Sequence, residues 1–382
     1  MKYQVTCLTP TLVGDGAKLS PIDYMVWKDH VNVLDQNRIF RLLARGPRLE
    51  GYLTQLKRAD KLDFASWGGF AQNYAGRRIP FEHASSTAVW ERTHAEHLFI
   101  PTFATGTTGP YLPASALKGA IRSALVGARA KSQVLQETAG RVGTDPRGMR
   151  QVTQAVEDSA VGPGGSNAMR LLSMGDSAAI PVASFKVYLL RVSTLEARGT
   201  GRFELAWKQS PRGAGKRPED GTPLFAEMAS PGTVFHGDWH ENKFLAQPEI
   251  SRALRARERP SVPQIFQAIN GYTAQLLQVQ AQYADWAGLS LLRSELAKLE
   301  ARLSEAGAGQ GRCVLPLGWG AGFFSKTAFL DTREPEYRKI LGQLPFYSRA
   351  IQSNLPFPKT RKVIFLEDQP AVLPGFVEIQ VS

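Results

Sequence analysis

The chain has 382 residues, 43% hydrophobic and 21% charged, a balance that excludes long-range disorder and fibrous architectures. Its 46 Lys plus Arg against 34 Asp plus Glu give a formal charge of +12, which favours a polyanionic partner or surface. Cys7 and Cys313 are the only cysteines, too few for a disulfide framework or a Cys-based zinc site, and no run approaches the roughly 20 apolar residues that span a bilayer.

The opening MKYQVTCLTPTLVG lacks the continuous apolar core of a signal peptide, so a cytoplasmic location is expected. Residues 3–8 alternate as a strand and stop at Pro10, after which Gly14 and Gly16 flank Asp15 in a tight loop. Extended runs at 24–27 and 31–34 bracket Lys28-Asp29-His30 as a hairpin, and Asp35 is placed to cap a helix through Ile39, Phe40, Leu42 and Leu43. This opening predicts an α+β fold, not a doubly wound sheet. Residues 67–113, rich in Gly, Pro, Ser and Thr, read as loops with short extended pieces.

From Ser115 a helix is predicted, with Leu117, Ile121 and Leu125 on one face and Lys118, Arg122 and Arg129 on another. Residues 140–165 read as irregular. Apolar runs at 180–190 and the alternating Phe203, Leu205 and Trp207 read as strands, separated by a basic Gly/Pro loop at 209–218 from the strands that follow. Ile265, Phe266, Ile269, Tyr272, Leu276 and Tyr283 share helical spacing, as do Leu289, Leu292, Leu296, Leu299 and Leu303 beyond Gly288. They predict a packed helical pair over about 262–307. Strands at 363–366 and 376–381 close the chain.

Candidate chemistry is sparse. His94 with His97, and His236 with His240, lack the spacing of a zincin helix, so no metal is expected. The stretch 318–327 has Ser325 before Lys326 where a Walker motif needs Gly, and a dinucleotide fingerprint fails at Phe323. Its glycines nevertheless offer bare backbone to a phosphate, with Lys326 nearby and Trp319 and Phe323 for stacking. The helix start at Ser115, read as its own cap, with Lys118 and Arg122 one turn apart, could hold a further phosphate. Asp15, Asp23 and Asp176 sit in turns and form no catalytic arrangement legible from spacing. Basic clusters at Arg252, Arg255, Arg257 and Arg259 and at Lys359, Arg361 and Lys362 read as solvated faces whose recurrence suits phosphate tracking.

In order along the chain, these landmarks resemble the RAMP superfamily of CRISPR effector proteins, in particular the fifth-subunit family of type III-A Csm complexes. The resemblance rests on Leu8-Thr-Pro-Thr-Leu-Val-Gly14-Asp-Gly16, Ser20-Pro-Ile-Asp23-Tyr24 and Tyr111-Leu-Pro-Ala114-Ser115-Ala-Leu-Lys118-Gly119-Ala-Ile-Arg122. In that last element Ala114 replaces the family's usual Gly. Met174-Gly-Asp176-Ser177, Ser230-Pro-Gly-Thr233, the loop from Gly318 to Thr327 and Phe357-Pro-Lys359-Thr-Arg361 continue the series.

The resemblance implies a ferredoxin-like, RRM-related core with loop insertions and a helical insertion, divided into an N-terminal region 1–180 and a β-rich C-terminal region 181–382. It implies a crRNA-binding subunit, without enzyme activity or cofactor, that caps the filament of repeated backbone RAMP subunits at the 3' end of the crRNA and supports its maturation. The backbone subunit, and the complex's small subunit as a further candidate, would be its protein partners, with target RNA reached indirectly. RNA contacts would fall to Gly14, Gly16, Ser115, Lys118, Gly119, Arg122, Trp319, Gly320, Gly322, Phe323, Lys326, Lys359 and Arg361. The alternative is a RAMP-type endoribonuclease that processes precursor crRNA or cuts target RNA, with His30 or His97 as base, or with an acidic role for Asp23.

Overall fold

A computed structural model of the chain describes every residue except 45, 59–60, 63–70, 131, 143–147, 200, 255–260, 309–310 and 354. Lys2–Cys7 is the middle strand of a five-stranded antiparallel sheet. It pairs with Val234–Glu241 on one side and Phe376–Val381 on the other, and Leu172–Met174 and Arg312–Pro316 lie at the two edges. Tyr3, Val5 and Cys7 are buried in alternation, as the pleat requires. Strands from both sides of the 180/181 boundary therefore interleave in one sheet.

A second antiparallel sheet is organised by the 13-residue strand Phe185–Ala197, flanked by Leu224–Ala229 and Phe203–Lys208 along one edge and Thr360–Leu366 along the other. Reciprocal backbone bonds between Thr11 and Ala229, at 3.1 and 2.8 Å, tie the two sheets. The expected hairpin forms between Tyr24–Trp27 and His30–Leu34, with Ala75–Pro80 as a third strand. Asp35 caps the helix Gln36–Leu43 by accepting from the Arg38 amide at 2.9 Å. These elements give the α+β architecture expected from sequence.

The helices Ala114–Arg129 and Val262–Ala287 pack on each other and on the first sheet. Leu117, Ile121 and Leu125 of the first meet the same core as Ile265, Phe266, Ile269 and Leu276 of the second. Each such buried apolar side chain contributes about 1.5–3 kcal/mol. Ser261 and Gln264 form a capping box, and Gly288, at φ +65°, ends the 26-residue helix in a left-handed turn. The helix Ser290–Ala308 then packs at the junction of the two sheets, where Arg302 meets Glu378 through Nε at 2.8 Å and Nη2 at 2.9 Å. The helical pair is thus part of the main core, not an appendage.

Several stretches are more helical than their composition suggests. Ser85–Arg92 is a helix inside the loop-like region 67–113, anchored by buried Trp90, whose Nε1 donates to the Tyr24 hydroxyl at 2.9 Å. Gly148–Val161, within the region read as irregular, is a 14-residue helix packed on Ala114–Arg129 and on Ser132–Arg141. Residues 67–70 and 143–147 of these two regions lie outside the described residues, as do Arg255, Arg257 and Arg259; Arg252 lies on the short helix Pro248–Ala253. Among the described residues no helix is long and apolar enough to cross a membrane.

Candidate functional site

The loop after the first strand, one face of the helix Ala114–Arg129 and the loop 317–327 line a single groove of about 1070 Å³. Gly14, Gly16, Ser115, Gly119, Arg122, Trp319, Phe323 and Lys326 all reach it, although up to 312 residues separate them in sequence, from 14 to 326. Lys18, Arg122 and Lys326 make it basic, and Glu157 is the carboxylate that faces them. Helices Ser132–Arg141, Pro335–Gln343 and Pro345–Gln352 close its apolar end with Leu135, Leu341 and Tyr347.

Two loops are joined by close backbone approach. Gly318, at φ +88°, lies so near the first loop that a Cβ there would stand 2.2 Å from the Leu12 carbonyl oxygen. The following amide, of Trp319, donates to that same oxygen at 2.7 Å. Only glycine allows both the left-handed conformation and this contact. Gly16 and Gly119, by contrast, have open space where a side chain would begin. Gly320 faces Pro374 and, with Gly322, does not line the groove. The loop 323–327 is held from beneath by Tyr272, whose hydroxyl donates to the Phe324 and Thr327 carbonyls.

The cations divide sharply. Lys326 is exposed at the groove. Beside it stands Lys362, whose Nζ lies 3.9 Å from the Trp319 ring centroid. Burial, and next the charge of Lys326, hold the Lys362 ammonium below the ordinary lysine range. Arg122 pairs with Glu157 of the helix Gly148–Val161 and remains about half exposed.

Three expected contacts lie off the groove, two of them with their charge engaged elsewhere. Lys118 points away from the groove and donates from Nζ to the Leu172 carbonyl at 2.6 Å, and burial lowers its pKa. Arg361 is 8% exposed. It donates from Nε to Gln280 at 2.5 Å and from Nη1 to the Pro358 and Thr360 carbonyls, between the Tyr283 and Phe324 rings, and desolvation pushes its pKa down to about 10. Lys359 does not line the groove, and its carbonyl accepts from the Leu195 amide at 3.0 Å. Phe323 reaches the groove but packs edge-on against Phe324, Tyr347 and Phe357.

Ser115 does not cap its helix. The helix begins at Ala114, whose amide donates to Asp176 Oδ1 at 2.8 Å, while Ser177 Oγ accepts from Leu112 N at 2.8 Å. The carboxylate of Asp176, not the Ser115 hydroxyl, thus meets the first amide of this helix. His30 contacts the Lys28 carbonyl in the hairpin turn, His97 abuts Glu96, and Asp23 accepts from the Ser20 amide and hydroxyl. None of these three lines the groove.

The sequence matches the model of the RAMP superfamily over residues 4–232, more than half of its length. The chain belongs to the RAMP superfamily. No curated protein matches this RAMP protein in sequence. Among solved structures, a chain of the "Csm-crRNA-target RNA ternary complex in type III-A CRISPR-Cas system", determined by cryo-EM, superposes with TM-score 0.69 at 19% identity, covering 100% of both chains. The crystal structure of T.onnurineus Csm5 superposes with TM-score 0.59 at 17% identity, covering 98% of this RAMP protein and 99% of that chain. The resemblance read from the ordered motifs thus holds for the family, and the fold is that of Csm proteins.

Proposed function

We propose that this RAMP protein is a non-catalytic crRNA-binding subunit of a type III-A effector ribonucleoprotein, which caps the filament of backbone subunits at the 3' part of the crRNA in the cytoplasm. One observation carries the reading: family motifs from the two ends of the chain and its middle converge on one cation-rimmed groove. The presence of crRNA and target RNA in the complex that holds the first structural relative supports the choice of ligand. Lys326 and its neighbour Lys362 offer charge to phosphates, and the open backbone at Gly16 and Gly119 permits close approach. Because guide sequences vary, the grip is to backbone and shape, with base readout left to pairing.

The ribonuclease reading would need a base at the groove, whereas His30, His97 and Asp23 are engaged in turns elsewhere. Measuring binding of two unrelated single-stranded RNAs across a salt series tests the proposal. Equal affinities that fall steeply with salt are expected. Salt-insensitive binding, or none by the protein assembled with its partner subunits, would overturn it, and cleavage of precursor crRNA by the pure protein in the presence of chelator would favour the ribonuclease.

A further inference from the structure

A second cleft adjoins the groove. Phe323, which lines the groove, meets Phe357 edge-on with ring centroids 5.1 Å apart, and Phe357 lines a separate depression of about 590 Å³. One wall of that depression is the helix Val262–Ala287, which presents Gln275, Gln278 and Gln282 at successive steps of three and four, all exposed. The facing wall carries Arg333 and Arg338. At its mouth Phe203 and Trp286, with centroids 5.4 Å apart, are shared with an adjoining hollow of about 630 Å³ that adds Arg198 and Arg202.

This composition has a chemical direction. Arg198 and Arg202 are exposed, and their side chains make no ion pair with any described residue. Arg333 Nη2 donates to Gln282 Oε1 at 3.1 Å, which leaves its remaining donors free to meet an anion. Asp331 is the one carboxylate on the described walls against Arg198, Arg202, Arg333, Arg338 and Arg361. Trp286 and Phe203 are only partly covered, and glutamine amides carry both donors and acceptors suited to base edges. Guanidinium groups, a partly open aromatic pair and a row of amides are what a single strand with exposed bases requires.

We propose that the glutamine face of Val262–Ala287, with Arg198, Arg202, Arg333, Phe203 and Trp286, is a second binding cleft for single-stranded RNA. The proposal shares its ligand with the groove reading but none of its residues. Phe323 of one cleft and Phe357 of the other are in ring contact, so the two clefts are close enough for one RNA longer than a single site to reach both.

The test uses the full chain and a uridine-rich single-stranded RNA of about 30 nucleotides bearing 4-thiouridine, long enough for two sites of about 4–16 nucleotides each. After photocrosslinking, RNA is expected on peptides containing Phe203 or Trp286 as well as on those containing Trp319. Arg202→Glu with Arg333→Glu, two exposed positions, should remove the first set, retain the second and weaken binding about tenfold. Absence of crosslinks at Phe203 and Trp286 in the unaltered protein overturns the proposal, as does their persistence in the double variant. Binding of polyglutamate at the cleft without RNA crosslinks there also overturns it, in favour of an acidic peptide partner. Crosslinks at Trp286 without any at Trp319 uphold this cleft and sink the groove reading.

Discussion

Lys362 holds its ammonium 3.9 Å from the centroid of the Trp319 ring, at the edge of the groove and within the field of Lys326. Two neighbouring like charges cost free energy until an anion arrives. An RNA phosphate is the anion that the surrounding open backbone can admit. Lys326→Gln and Lys362→Gln should each weaken RNA binding about five- to tenfold and lower the slope of log affinity against log salt by about 0.7. Anisotropy titrations at several salt concentrations measure both; an unchanged slope in both variants would remove these lysines from the interface.

Lys118 serves as the contrast. Its charge sits in a family motif, yet its ammonium is bonded to the Leu172 carbonyl. Lys118→Met should leave RNA affinity within a factor of two and lower stability by about 1 kcal/mol, the modest value expected for a partly exposed charged bond. Paired RNA titration and urea unfolding separate the two effects. A large loss of affinity with full stability would restore Lys118 to the RNA surface.

Gly318 and Gly16 both have positive φ, +88° and +97°, but only Gly318 is pressed against another chain segment. Gly16→Ala should cost about 1–2 kcal/mol, the strain of the left-handed conformation alone. Gly318→Ala adds a clash with the Leu12 carbonyl, so its loss should exceed that of Gly16→Ala and should also reduce RNA affinity as Trp319 shifts. Equal unfolding midpoints for the two variants would contradict this account.

Glu227 is 0% exposed and is paired with Arg77 of the hairpin sheet, joining Ala75–Pro80 to Leu224–Ala229. Arg77→Ala strands a buried carboxylate and should cost about 3–5 kcal/mol. Arg77→Met combined with Glu227→Leu removes both charges and should recover most of that loss, because the desolvation cost vanishes with the attraction. A double-mutant cycle by chemical denaturation gives the coupling; strict additivity would show that the pair contributes no coupling.

Local signals account for much of what was legible. The hairpin, the Asp35 cap, the helix from Ala114 and the helical pair ending its first member at Gly288 all rest on patterns within a few residues. Ser85–Arg92 and Gly148–Val161 were hidden because their stability comes from neighbours: Trp90 against Tyr24, and the helix Gly148–Val161 against Ala114–Arg129. The true partner of the helix start, Asp176, is 62 residues away from Ala114, a distance at which Ser115 is the nearer and wrong candidate. Arg361 and Lys362 show the same limit in a strand. Their side chains must point to opposite faces of Thr360–Leu366, but which face is covered depends on Gln280, Tyr283 and Phe324.

By itself, then, the sequence determined the net positive charge, the α+β class and the ordered motifs that mark the family, since each is encoded in composition or in residues close together along the chain. The tertiary structure alone decided which cations face the groove. Lys18, Arg122 and Lys326 line it with Lys362 alongside, while Lys118 and Arg361 are consumed by carbonyls and rings of distant segments. The reason is physical: desolvation and hydrogen bonding act through space, and a lysine or arginine in a basic motif becomes a ligand for RNA only if the fold leaves its charge unspent.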